Sequence, residues 1–211
     1  NMSTGQQLLR SVKAEAGIVI NGKAYNAGGL YGQKENAYIL PEWLDQFSTH
    51  PEDFQCTGYS VSDIKPYVNW KPGAWWSSRT SQPAGKTLTF SYQSNTTALK
   101  GLLLKINYEV YDNVPLIVKW LSIENNGASS LKLDRVVNEI LGLVEEESAV
   151  VGSPEEMKKQ HGIYVETNYA FNNAMRYDIS DQTTHWKTDS VYTSQVNYNY
   201  QTPCLLEIYP L

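Results

Sequence analysis

Charge is scarce in this 211-residue chain: Lys, Arg, Asp and Glu together make up 18% of it, against roughly 25% in an ordinary soluble domain. The charges sum to −5, and the Lys and Arg residues are scattered. A nucleic-acid surface needs clustered cations to follow phosphates, so that class is excluded. No apolar run approaches the ~18 residues that cross a membrane as a helix, and no membrane partner is expected. Cysteine occurs twice, as Cys56 and Cys204. Two thiols so far apart can pair or stay free, and they are too few for a metal framework. Histidine occurs three times, at His50, His161 and His185. No Ser-His-Asp arrangement, phosphate-binding loop or metal-ligand cluster is recognisable, so no metal or cofactor is expected. A signal peptide is also missing, although Asn1 before Met2 points to an internal cut or leaves room for a removed leader. The compartment stays open, with a periplasmic or extracellular location favoured over a cytoplasmic one.

The polarity comes instead from Asn, Ser, Thr, Gln and Tyr, a bias that suits strands and wet loops. Fifteen Tyr and six Trp outnumber four Phe. Both combine an apolar body with a polar handle, which suits surfaces that meet sugars, though β-sandwiches carry many of them for packing alone. The length fits one all-β domain over 1–211 with a core that needs no disulfide or metal.

Local patterns place the strands. Ile18-Val19-Ile20 runs through Asn21-Gly22 into Lys23-Ala24-Tyr25, a hairpin signal, because both turn residues tolerate positive φ. The stretch from Pro41 to Ser62 reads as irregular. Leu88, Phe90 and Tyr92 alternate with Thr87, Thr89 and Ser91, and Leu102 to Tyr111 keeps the same period of two. Asp112-Asn113 breaks that run, Leu116 to Glu124 is apolar on both faces, and Asn125-Asn126-Gly127 turns again, which makes a meander.

Leu131 to Val144 is ambiguous. Leu133, Val136, Val137, Ile140, Leu141 and Val144 fit a helical stripe, while the neighbouring strands favour strand, and strand is the expectation. Ser153-Pro154-Glu155-Glu156 is a helix start with a capping box, predicting one short helix over 154–160. Strands are expected again at 163–167, 191–196 and 205–209. The end at Tyr209-Pro210-Leu211 lacks a polar tail, so the native protein is expected to continue.

The densest candidate site is Trp70-Lys71-Pro72-Gly73-Ala74-Trp75-Trp76-Ser77-Ser78-Arg79. Indole faces stack on pyranose C–H faces, and Arg donates paired hydrogen bonds. Trp70, Trp75, Trp76 and Arg79, with Trp186 beside His185, are the carbohydrate-binding candidates; plugging the end of the sandwich is the structural alternative. Glycoside hydrolysis needs two carboxylates roughly 5–10 Å apart. Glu109, Asp112, Glu124, Asp134, Glu139 and Glu207 are candidates by type, but Glu109, Glu124 and Glu139 are expected to face solvent or pair across strands. Mutarotase-like proton transfer would need His and Glu together; His185 and Glu166 are the pair available. No catalytic residue is assigned. Asn95-Thr96-Thr97 matches a glycosylation sequon that arises often by chance.

Several stretches resemble the N-terminal β-supersandwich domain of α-galactosidase-type (melibiase-like) bacterial glycoside hydrolases. The most specific is Tyr108-Glu109-Val110-Tyr111-Asp112-Asn113-Val114-Pro115-Leu116-Ile117-Val118-Lys119-Trp120. Trp70-Lys71-Pro72-Gly73, Val137-Asn138-Glu139-Ile140-Leu141 and the stretches at 165–171, 195–198 and 202–210 accompany it in the family's order, covering roughly 65–210. The resemblance implies an antiparallel, galactose-mutarotase-like β-supersandwich with Leu131 to Val144 as strand. It also implies that the catalytic carboxylates lie on a (β/α)₈ barrel of the same polypeptide, against which this domain packs. Lys132-Leu133-Asp134 is similar to the family's nucleophile motif but lacks its flanking Trp and Asn. The expected function is therefore a non-catalytic domain that contacts oligo- or polysaccharide. The competing reading is a self-contained sugar epimerase, mutarotase or polysaccharide lyase on the same fold, since fold alone does not choose a function.

Overall fold

The computed structural model describes residues 12–31, 41–65, 83–142, 184–187 and 205–208. They are antiparallel strand and turn, and the helices among them are two short 3-10 segments, Pro41–Gln46 and Thr97–Leu99. The chain is all-β and antiparallel, as expected of a β-sandwich. The helix expected over 154–160 and the strands expected at 163–167 and 191–196 lie outside the described residues.

The chain divides into two compact units, Glu52–Ser130 and a second assembled from Asn1–Pro51 with Leu131–Leu211. In the second unit, β1 (Ala16–Ile20) and β2 (Lys23–Ala27) form the hairpin expected at Asn21-Gly22. Asn21 and Gly22 have φ of 50° and 78°, the left-handed pair such a turn requires. The turn is held from outside: Asn21 N donates to Lys132 O at 2.9 Å and Lys132 N to Asn21 Oδ1 at 3.0 Å. Gly22 N donates to Asp134 Oδ2 at 2.7 Å. The Lys132 ammonium and the Gly22 N–H hold the Asp134 carboxyl below its ordinary value. Ala16, Ile18 and Ile20 alternate inward and are buried, with Tyr25 and Ala27 across the hairpin.

Of the stretch Leu131 to Val144, the described residues 131–142 do not form one element. β7 (Leu133–Val137) pairs with β1, whereas β8 (Glu139–Gly142) pairs with β10 (Leu205–Ile208), itself paired with β9 (Thr184–Lys187). At the break, Asn138 N donates to Ile208 O at 2.7 Å. The strand changes sheets there, and the apolar phase restarts with it. That restart is why the apolar residues mimic a helical stripe.

The other unit is a four-stranded antiparallel meander in the order β3 (Gln55–Asp63), β4 (Gly85–Gln93), β5 (Leu102–Tyr111), β6 (Val114–Asn125). Asp112-Asn113 closes the β5–β6 hairpin with Asn113 at φ 58°. The register slips beside it, where Pro115 has no ladder N–H to give. Residues directly opposite in a ladder share a face. Leu104 and Ile106, fully buried, lie between Tyr92 and Phe90 on β4 and Ile123 and Leu121 on β6. Burying each such side chain contributes about 1.5–3 kcal/mol. β3 corrects the expectation of an irregular stretch through Ser62. Its side chains are exposed from Cys56 to Asp63. Its apolar–polar alternation, Tyr59-Ser60-Val61-Ser62, is only four residues long, too short to outweigh the Pro, His, Asp and Gly interspersed before it.

Candidate functional site

The opposite face of the same meander is polar. Thr87 and Thr89 of β4 stand across from Glu109 and Asn107 of β5, and Asn107 stands across from Trp120 of β6. Period two places them here, since Ile106 and Tyr108, which alternate with them, belong to the apolar face. Thr87, Asn107 and Glu109 are buried, Glu109 with only 2% of its surface exposed. A buried carboxylate requires hydrogen-bond donors. Tyr111 Oη donates to Glu109 Oε2 at 2.6 Å and Thr87 Oγ1 donates to Oε1 at 3.3 Å. Next along the ladder, Thr89 Oγ1 donates to Asn107 Oδ1 at 2.7 Å, and Asn107 Nδ2 to Trp120 O at 3.5 Å.

The cluster holds the buried Glu109 carboxylate in place with the hydroxyls of Tyr111 and Thr87. Desolvation, then the hydrogen bond to Glu109 and its negative charge, push the Tyr111 hydroxyl up to about 12. At neutral pH Tyr111 is therefore a fixed donor and a poor base. Of the two outcomes expected for Glu109, facing solvent or pairing across the strands, it takes the second: it is buried and pairs with Thr87 of β4. The signal missed was its position two residues from Tyr111, on the face where β4 offers hydroxyls.

The other carboxylates are dispersed. Glu124 meets Lys105 at 2.7 Å, a cross-strand diagonal pair. Asp134 meets Lys132 at 2.6 Å, and Glu139 Oε1 accepts from Ile140 N at 3.1 Å. Asp112 sits in the β5–β6 turn and Glu207 opposite Ile140 on β10. Among the described residues, no group of three or more His, Cys, Asp or Glu is gathered to hold a metal. His50 packs its ring against Tyr31 with centroids 5.8 Å apart. Cys56 is an exposed free thiol whose Sγ lies 3.6 Å from Gly58 O; Cys204 lies outside the described residues.

Of the sugar-contact candidates, Trp186 stands on β9 opposite Leu206 of β10, with His185 opposite Glu207. Trp70, Trp75, Trp76 and Arg79 lie outside the described residues, as do His161 and Glu166. Compared with known proteins, the chain matches no family model, no curated protein and no solved structure.

Proposed function

We propose that the chain is a non-catalytic, carbohydrate-associated domain of an α-galactosidase-like glycoside hydrolase. In this reading it packs on a catalytic barrel of the same polypeptide and meets sugar through its Trp-rich loop. One observation carries it: the stretches resembling the galactose-mutarotase-like supersandwich occur in the family's order, with the most specific of them spanning the β5–β6 hairpin. The all-β, antiparallel frame is compatible with that fold. The charge-poor, Tyr- and Trp-rich composition agrees with a surface that reads hydroxyls.

Tryptophan fluorescence titrated with galactosides and with plant or host glycans is the test. Each stacked indole contributes about 1 kcal/mol, so the isolated chain should bind with millimolar affinity at best. Trp75→Ala or Trp76→Ala should abolish the response and leave the fold intact. If both variants instead lose several kcal/mol of stability, the rings are core plugs and sugar contact fails. The same chain should not hydrolyse aryl α-galactosides. Turnover that one Asp or Glu substitution removes would overturn the non-catalytic assignment in favour of the self-contained enzyme.

A further inference from the structure

We infer that β3 is a self-association edge, on which a second copy of this chain adds its own β3 in antiparallel register about a two-fold axis through Ser60. Among the described residues β4 is the only strand paired with β3, and side chains on both faces are exposed from Cys56 to Asp63. Such an edge presents N–H and C=O groups whose natural complement is another strand.

Soluble proteins usually blunt long edges with lysine, proline or an inward charge. From Gln55 to Ser62 this strand carries no charged residue and no proline. Its one irregularity, the register shift between Cys56 and Gly58, lies near the start, leaving Gly58 to Asp63 regular. The only charge, Asp63 at the far end, is already matched by Lys86 on β4 at 2.6 Å.

The exposed side chains choose the occupant. Tyr59 and Val61 are 73% and 60% exposed, far more than apolar groups on a finished sheet need be. They lie on the same face, being opposite Phe90 and Leu88 of β4, and they flank Ser60. A two-fold axis through Ser60 sets Tyr59 of each copy opposite Val61 of the other. An aromatic and a β-branched residue form one of the favourable cross-strand pairs, and the symmetry makes it twice. Gly58 then faces Ser62, and no like charges meet. Isologous pairing needs this self-complementarity, which an unrelated peptide has no reason to share.

A strand-to-strand contact of this size falls below the ~1,200 Å² of a stable standard interface, so the dimer should be weak and concentration-dependent. Sedimentation equilibrium of the full chain in reducing buffer should show a monomer–dimer equilibrium. Ser60→Lys and Ser60→Glu each oppose like charges at the axis and should sediment as monomers with unchanged far-UV spectra. Mixing the two variants in equal amounts should restore a dimer of one copy of each. In a Cys56→Ser background, Ser60→Cys should oxidise to a disulfide-linked dimer, and Ser62→Cys should not. In the wild type, amide exchange at residues 58–62 should slow as concentration rises, a readout that needs no variant. A wild type that is monomeric into the millimolar range overturns the inference, even if it captures extended peptides. A dimer indifferent to charge at Ser60, or exchange at 58–62 independent of concentration, overturns it equally.

Discussion

Glu109 shows how far a single residue can depart from its type. A glutamate on a strand ordinarily faces water, yet this one is buried and depends on the hydroxyls of Tyr111 and Thr87. Removing the shorter of those bonds leaves a buried charge short of a donor. Tyr111→Phe should therefore cost ~1–3 kcal/mol in urea unfolding, and Thr87→Val less, because its bond is longer. The pH dependence follows from the direction of the shift. Tyr111 ionises near 10.0 when unfolded and at about 12 when folded, so the unfolded chain gives up its proton first. The contribution is complete below pH ~10 and is lost as pH rises toward ~12. The stability difference between wild type and Tyr111→Phe should shrink across that window. A difference that holds constant would mean that Tyr111 does not donate to Glu109. None of this was legible at the position itself, since burial of a side chain depends on what covers its face.

At the scale of elements, the turns were the most legible features. Asn21-Gly22 closes its hairpin for a reason that is entirely local, the left-handed φ of both residues. A Cβ added at Gly22 would meet nothing within 4 Å, so Gly22→Ala isolates the conformational cost, ~1–2 kcal/mol. Gly101 combines φ of 90° with a close approach, its Cβ position being 2.7 Å from Gly127 N. Gly101→Ala should consequently destabilise more than Gly22→Ala in paired denaturant titrations, and the reverse order would contradict these turn geometries. β4, β5 and β6 were legible because each keeps period two or a continuous apolar run. β3 was not, because its one alternation, Tyr59 to Ser62, is four residues long and sits in a stretch interrupted by Pro51, Asp53 and Gly58. β7 and β8 were only half legible, since a strand that changes sheets at Asn138 scrambles its own periodicity.

For the whole molecule, the all-β, antiparallel class predicts a far-UV circular dichroism spectrum dominated by strand, with little helical signal. A helix-dominated spectrum would remove both the class and the family reading built on it. Composition, alternation and turn residues by themselves determined that class, the meander from Gly85 to Asn125 and the first hairpin. Each rests on interactions between residues close in sequence, or on a periodicity that any sheet enforces. Only the tertiary structure decided that β3 pairs, among the described residues, with β4 alone, that β7 and β8 belong to different sheets, and that Glu109 is buried beside Tyr111. Those outcomes depend on which distant strand lies alongside and which face is covered, and no local stretch of chain carries that information.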